Sequence, residues 1–429
     1  MSAATPLKTL YLCYFGLREP LVQTQVLPYL RQLVTDGVEV HLLTFEPELH
    51  QRWSKDALAA QKAELAREGI RWSYLPYHKR PSVPATLYDI QRGARFAARM
   101  VRREGVDVLH ARGHVAAFMG ALAKRMSGGQ FLFDVRSFMP EEYTDAGVWP
   151  ANGSVYRLAK RAEATCLAAA DAFVVLTEKA REILFPGRTD TDAKGRPVQV
   201  IPCCVDLERF KAADEISREE VRAELGVTDR RVIVYLGALG GWYLTDEMVS
   251  FLSFAHREDK STFSMILTQS RPEIIERGLR EAGISKEDYL IRKVSPREIP
   301  RYLKAADIAL SFIKPCYSKL SSSPTKMAEY LASGLPVICN SGIGDVDEVV
   351  RTDRVGVIVE DFTEESYRRA LKAADEMRRD RETAERCRMS AVERFDLERV
   401  GGERYKHLYR RLRESRAKSL PFAEKEQAA

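Results

Sequence analysis

The sequence predicts an α/β protein of two domains, each a parallel sheet wound with helices on both faces. Three observations carry this. Short continuous apolar runs, the mark of strands buried on both faces, alternate with segments of helical period. The alternation begins again after a charged stretch near the middle of the chain. A length of 429 residues suits two to three domains better than one.

In the first half, strands are expected at 8–15, 38–45, 70–75, 106–111, 131–135, 172–177 and 198–201. A helix over 21–36 follows the first strand and stops at Gly37; another covers 114–126. The second half restarts with RVIVYLG at 231–237, followed by strands at 263–268, 289–292, 307–312, 336–339 and 355–359. Helices over 245–256, 272–282, 296–305 and 324–333 separate them. The seam falls within 203–228, where a charged helix over 217–225 parts the two sets. Residues 364–416 read as a charged, mostly helical tail. The expected domains are 1–203 and 204–396, with a tail at 397–429 crossing back to the first. Both domains are Rossmann-like, and two such sheets facing across a cleft bring their strand ends, where ligands bind, to the same gap.

Composition narrows the classes. The chain is 45% hydrophobic and 30% charged, which supports a full core and excludes a disordered or collagen-like chain. No run approaches the ~20 apolar residues of a membrane span, and no secretory leader is expected from the first residues. A net charge of +6 is far from the concentrated charge of nucleic-acid binders, so no nucleic-acid partner is expected. The seven cysteines include no C-x-x-C pair, which points to a reducing, cytoplasmic setting. Cys203 and Cys204 are adjacent, diverge in direction and have no histidine nearby, which favours structural roles.

The most informative segment is SSSPTKMAEYLASGLPVICN, 321–340. It reads as a loop, a helix start with Ser323 as N-cap and Pro324 first in the helix, a glycine stop and a buried strand. The helix start combines free amides, the hydroxyls of Ser321, Ser322, Ser323 and Thr325, and Lys326, a suitable cradle for a phosphate. Glu329 lies on the same helical face as Lys326 and suits a sugar hydroxyl. A capped structural helix with a Lys326–Glu329 ion pair remains an open alternative. Polar groups also end two strands of the first half: His110, Arg112 and His114, then Asp134 and Arg136 on one face. They fit either a reaction site or a buried salt bridge pinning the strand ends. Gly16 opens the turn after the first strand, Gln25 is either a polar wall of the cleft or exposed, and Glu141 and Glu142 suit either acceptor hydroxyls or solvent. Arg92, Arg95, Arg99, Arg102 and Arg103 recur at helical spacing, and residues 61–120 alone carry +6. That stripe suits an anionic membrane surface or plain solvent.

Four segments carry a family resemblance: GLREPLVQTQVLPYLRQLVTDGVEVHLLTFE (16–46), DAFVVLTEKAREIL (171–184), VIPCCVDLERF (200–210) and the 321–340 segment with its flanks. Together they resemble the retaining GT-B glycosyltransferases of glycosyltransferase family 4 over nearly the whole chain. VIPCCVDLERF is similar to the family's VIPNGVDxxxF, with Cys203-Cys204 for Asn-Gly. The resemblance implies the GT-B fold and a nucleotide-sugar donor held by the second domain. The family's donor motif has two glutamates eight positions apart; Glu329 matches the second, which binds the ribose, and the first falls on Ser321. The family's diphosphate-binding Arg and Lys follow the first strand of that domain. Here that loop, 238–243 after Gly237, has no base, so Lys326, Arg292, Lys293 or Lys319 is expected to supply the charge. By the same resemblance Gly16 lies against the donor and the histidine-bearing segment 106–114 contacts the transferred sugar; with the strand-end polar groups, this makes His110, Arg112, Asp134 and Arg136 the expected catalytic set, and Gly237 is expected to join the donor site. Asp345-x-Asp347 lies in a loop beside the donor that begins a helix, so no metal is expected, and no cofactor beyond the nucleotide-sugar co-substrate. The implied reaction is retaining transfer to a hydroxyl of a glycan or lipid-linked acceptor, in cell-surface polysaccharide, lipopolysaccharide or glycolipid biosynthesis, by a cytoplasmic or peripheral enzyme. A sugar-nucleotide epimerase of the same shape and a non-catalytic subunit of a polysaccharide assembly complex are the rival readings.

Overall fold

The apolar runs of the first half pair as one parallel sheet of seven strands: β1 (Lys8–Cys13), β2 (Glu39–Glu46), β3 (Ile70–Pro76), β4 (Val108–Arg112), β5 (Gln130–Val135), β6 (Ala172–Val175) and β7 (Val198–Val200), in the order β3-β2-β1-β4-β5-β6-β7. Those of the second half form a sheet of six: β8 (Arg231–Leu236), β9 (Thr262–Leu267), β10 (Tyr289–Arg292), β11 (Ile308–Ser311), β12 (Val337–Asn340) and β13 (Gly356–Val359), in the order β10-β9-β8-β11-β12-β13. Each sheet is therefore doubly wound, with its switch point between β1 and β4 or between β8 and β11. Doubly wound sheets hold ligands outside the strand ends at such points. The computed structural model describes residues 6–419. It divides into two units, Met1–Ile201 with Gly401–Ala429, and Pro202–Val400.

Alternation along the strands builds the cores. On β8, Val232, Val234 and Leu236 enter one apolar cluster while Ile233 and Tyr235 enter the other, so both faces of this central strand are dry. In the first unit one face is more polar. Thr9, His110, Arg112, Gln130 and Asp134 lie on it, and the helix Glu403–Ser419 covers them. That helix buries Tyr405, Leu408, Tyr409 and Leu412, spaced i, i+3, i+4, i+7 on one stripe.

Three local expectations are corrected. β1 ends at Cys13 rather than 15, because the following turn is tied sideways: the Leu17 amide donates to Glu46 Oε1 at 2.9 Å. The helix expected over 21–36 is two, Pro20–Gln25 and Leu27–Thr35, broken at Val26 (φ −122°). Pro28 explains the break, since it has no N–H to continue the ladder. The 324–333 helix spans Thr325–Ala332, with Pro324 as its extended N-cap residue and no side-chain cap. Ser323 is not the cap; its Oγ instead accepts from the Cys203 amide at 3.1 Å. This link places VIPCCVD beside the helix start.

Candidate functional sites

In the second unit the chemistry gathers at the switch point. The loop after β11 leads into the helix Thr325–Ala332, and Lys326, in its first turn, reaches the end of β8. Lys326 Nζ donates to the Tyr235 hydroxyl at 3.1 Å, which in turn donates to the Ala238 carbonyl. It lies 4.2 Å from the Tyr235 ring centroid and 4.3 Å from that of Tyr243. Gly237 (φ 138°) permits this approach: a Cβ there would sit 2.9 Å from Nζ, and the backbone conformation itself strains any other residue. Tyr330 holds the fork open. Its hydroxyl accepts from the Leu236 amide at 2.7 Å and donates to the Leu310 carbonyl at 3.1 Å, satisfying backbone groups where β8 and β11 part.

Lys326 and Glu329 are each only 6% exposed. Lys326 bonds Tyr235 rather than Glu329, so the ion pair of the structural alternative does not form. Among the described residues no carboxylate lies within ion-pair distance of Lys326 Nζ, and Glu329 has no hydrogen-bonded side-chain partner. Burial pulls the Lys326 ammonium down to about 7, with the field of Glu329 opposing. Burial likewise pushes the Glu329 carboxyl up to about 7, against Arg209 and Lys326. A buried cation and a buried carboxyl, each short of partners, are expensive unless a ligand completes them.

The other residues of that reading lie at different depths. Ser322 and Thr325 are half-buried at the helix start. Ser321 is buried and donates to the Ser318 carbonyl at 2.8 Å, closing a 3-10 turn. Lys319 is buried, with Nζ 3.9 Å from the Trp242 ring centroid. Arg292 and Lys293 are exposed at the end of the edge strand β10, two strand spacings (about 10 Å) from β8. Arg292 there donates to the Tyr302 hydroxyl at 2.6 Å. Asp345 precedes the helix Val346–Asp353, and Asp347 accepts from the Gly342 amide at 3.2 Å. Among the described residues no group of three or more His, Cys, Asp or Glu is placed to hold a metal ion.

In the first unit His110, Arg112, Asp134 and Arg136 form one cluster at the ends of β4 and β5. Register pairs Arg112 with Asp134 directly. Asp134 Oδ2 lies 3.6 Å from Arg112 Nη1 and 3.7 Å from His110 Nε2, while Oδ1 lies 3.4 Å from Arg136 Nη1. The Tyr405 hydroxyl donates to Asp134 at 3.2 Å, and Tyr409 shares a 2.9 Å hydrogen bond with His110 Nδ1. Burial opposes ionisation of Asp134, yet Arg136, His110 and Arg112 together hold its carboxyl well below the usual range. Burial lowers His110, against the pull of Asp134. His110 and Asp134 are fully buried and Arg112 nearly so; the Arg136 side chain is 10% exposed. The cluster thus has the form of the buried salt bridge, with Arg136 as its outermost member.

Gly16 packs where a Cβ would meet Pro47 Cδ at 2.7 Å. Gln25 is buried. His114 bonds Glu163 at 2.8 Å, and Glu141 accepts from Tyr156 at 3.1 Å, so both belong to one internal network. Sequence reasoning missed Tyr235, Trp242, Tyr243 and Tyr330 around the lysines, and Tyr405 and Tyr409 around the acid. Only the last pair left a signal, the apolar stripe of the final helix.

Two Rossmann-like sheets, each with polar groups at its switch point, define the GT-B class of glycosyltransferases. The chain matches the glycosyl transferase 4-like domain over residues 22–204 and the glycosyl transferases group 1 domain over residues 217–394. It belongs to the group 1, family 4-like glycosyltransferases, a family of nucleotide-sugar-dependent enzymes. Spore coat protein SA of Bacillus subtilis (strain 168) is 25% identical over 170 residues, which are 37% of this chain and 44% of that protein. The chain thus matches less than half the length of this curated relative. The fold is shared with a glycosyltransferase from Rickettsia africae (TM-score 0.71, 14% identity, 95% of this chain and 99% of that one). It is also shared with Anabaena HepE in complex with UDP (TM-score 0.67, 14% identity, 94% and 100%). Sucrose-phosphate synthase from Thermosynechococcus elongatus is similar again (TM-score 0.71, 14% identity, 95% and 100%).

Proposed function

We propose that this chain is a retaining glycosyltransferase that moves a sugar from a nucleoside diphosphate to a hydroxyl of a glycan or lipid-linked acceptor, in the assembly of a cell-surface polysaccharide, lipopolysaccharide or glycolipid. The observation that carries the reading is Lys326, a buried lysine with no carboxylate of the described residues in ion-pair reach, at a helix start whose amides also favour an anion. In this reading Lys326, Ser322 and Thr325 face the diphosphate, Gly237 lets them approach it, and Glu329 accepts from the ribose. The protein supplies position and charge rather than a covalent nucleophile. The bond from the anomeric carbon to the diphosphate breaks, the acceptor oxygen bonds to that carbon on the same face, and a leaving phosphate oxygen takes the acceptor proton. Of the first unit's residues, His110, Arg112, Asp134 and Arg136 are the proposed catalytic set, with Arg136 its outermost member, and Gly16 shapes the turn beside β1. No metal or further cofactor enters this scheme.

Thermal melting with UDP, GDP, ADP and TDP tests the reading. One of them at ~100 times its dissociation constant adds ~2.7 kcal/mol to the folded state and raises Tm. A flat response to all four refutes a nucleotide site.

We propose an anionic membrane surface as a further partner. No helix among the described residues is long and apolar enough to cross a membrane. The helix Ser82–Glu104 exposes Arg95, Arg99 and Arg103, while Arg102 donates to the Met126 carbonyl. At its start Val83 (47%), Leu87 (57%) and Tyr88 (50%) are exposed large apolar side chains. Apolar insertion beside basic residues suits an anionic interface, at ~1 kcal/mol per base. Liposomes containing anionic lipid should sediment the protein, and a triple change of Arg95, Arg99 and Arg103 to Glu should release it. Wild-type protein left in the supernatant overturns the proposal.

A further inference from the structure

The first unit holds a second histidine–aspartate pair besides His110 and Asp134. Asp89, on the helix Ser82–Glu104, is fully buried. It joins the chain just beyond β3 to the chain just beyond β1, the strands on either side of β2. Its Oδ2 accepts from the His78 amide at 2.9 Å and from the Tyr14 hydroxyl at 2.8 Å, and its Oδ1 meets His78 Nδ1 at 2.6 Å. A carboxylate only accepts, so Nδ1 carries the ring proton, and in the neutral ring Nε2 keeps its lone pair. The His78 side chain is 38% exposed, and among the described residues Nε2 makes no hydrogen bond.

The surroundings hold this ring in place. Tyr88 packs edge-on against it, with ring centroids 5.2 Å apart. Tyr77 packs on Tyr14 at 5.3 Å, and Tyr14 on Phe45 at 4.9 Å. Backbone bonds fix the two loops: the Tyr77 amide donates to the Glu46 carbonyl at 3.0 Å, and the Phe45 amide to the Phe15 carbonyl at 3.2 Å. Burial raises the Tyr14 and Tyr77 phenols, Tyr14 further through its bond to Asp89, so both rings stay neutral. Phe15 (46%) and Tyr88 (50%) add exposed aromatic surface. Pinning the strand ends to Asp89 needs only the His78 amide and the Tyr14 hydroxyl. The third bond, to Nδ1, gives a half-exposed ring a fixed orientation and a fixed tautomer.

We propose that His78 binds a sugar hydroxyl of the acceptor, the hydroxyl donating to Nε2, with Asp89 and Tyr14 as positioning residues behind the ring. The inference rests on the glycosyl-transfer reading and names a subsite that the reading leaves unassigned. Tyr14 and His78 both follow the carboxyl ends of parallel strands, where doubly wound sheets take ligands. A sugar ring offers O–H donors at its rim and C–H faces that aromatic rings cover, which suits one fixed polar atom among aromatic walls. A lone pair backed by a carboxylate favours a hydroxyl over a phosphate oxygen, which brings no proton to it. The bound hydroxyl is not the reacting one, whose proton passes to the leaving phosphate. His78 therefore governs which acceptor fits rather than the chemical step.

Saturation-transfer NMR of the full chain with the methyl glycosides of glucose, galactose, mannose and N-acetylglucosamine, each titrated in the presence of UDP or GDP, tests this. Wild type should bind at least one glycoside. His78→Ala should weaken that binding roughly three- to tenfold, the loss of one neutral hydrogen bond. His78→Gln, whose amide oxygen can accept close to the position of Nε2, should retain part of it. Asp89→Asn keeps the ring but offers Nδ1 a donor, which moves the ring proton to Nε2, so affinity should fall as in His78→Ala. A merely structural Asp89 predicts no such loss while the fold is kept, which melting curves report. The two variants of half-exposed His78 carry the test if Asp89→Asn fails to fold. Wild-type affinity in His78→Ala, or no glycoside bound by wild type, overturns the subsite, and nucleotide binding in the same samples leaves the donor site standing. No nucleotide bound by wild type overturns the proposed function instead.

Discussion

Lys326→Met is expected to stabilise the free protein while weakening nucleoside diphosphate binding by roughly 10- to 150-fold, the equivalent of a lost charge-assisted hydrogen bond of ~1.5–3 kcal/mol. The two effects have one cause. Lys326 is buried at a helix N-terminus, where a cation is itself unfavourable by ~0.3–1 kcal/mol, and no carboxylate of the described residues pairs with it. Replacing such a buried ion by an apolar side chain of similar length is commonly neutral or stabilising by ~1–4 kcal/mol. The pH dependence gives an independent check. Burial pulls Lys326 down to about 7 in the folded protein, while the unfolded chain keeps its proton to about 10.5. Between those values the unfolded state binds more protons, so wild-type stability should rise with pH from about 7 upward, and Lys326→Met should lack that rise. Glu329 acts in the opposite sense: its raised folded value makes its contribution full below about 4.5 and lost as pH climbs to about 7. Nucleotide affinity should fall above pH ~7 as Lys326 loses its proton. Calorimetry and melting curves across pH 5–10 check all three; an unchanged affinity in Lys326→Met removes the lysine from the site.

How far the sequence reached depended on whether the partners were local. The strands were legible because buried parallel strands must be apolar over their whole length, as in β8, RVIVYL. Lys326 and Glu329 were legible because one helical turn sets their spacing and a family motif frames them. The surroundings of Lys326 were not. Tyr235 lies 91 residues before it, and nothing near Gly237 signals that the aromatic loop serves a lysine on another segment. Asp134 and His110 stood out as polar residues at strand ends, yet their burial depends on Tyr405 and Tyr409, 271 and 299 residues away. A strand-end acid facing a cleft and one sealed under a helix look alike until that helix is placed. The break at Val26 was within reach, because Pro28 removes a helix donor by itself. Arg292 and Lys293 were drawn in by charge alone, and strand order sets them at the edge of the sheet.

The measurement that bears most directly on the second-unit donor site is the turnover of nucleotide sugars by Glu329→Ala. Glu329 is buried beside the helix start, burial pushes its carboxyl up to about 7, and its side chain has no hydrogen-bonded partner among the described residues. A carboxyl kept in that state is costly to the free protein and useful to a ligand hydroxyl. Removing it should leave Tm unchanged or higher. With the nucleotide sugar that wild type consumes, followed by release of the nucleoside diphosphate, kcat/KM should fall roughly 10- to 150-fold. Glu329→Gln, which keeps shape and one acceptor oxygen, should fall between the two. Wild-type kinetics in Glu329→Ala, with the fold intact, would contradict the account.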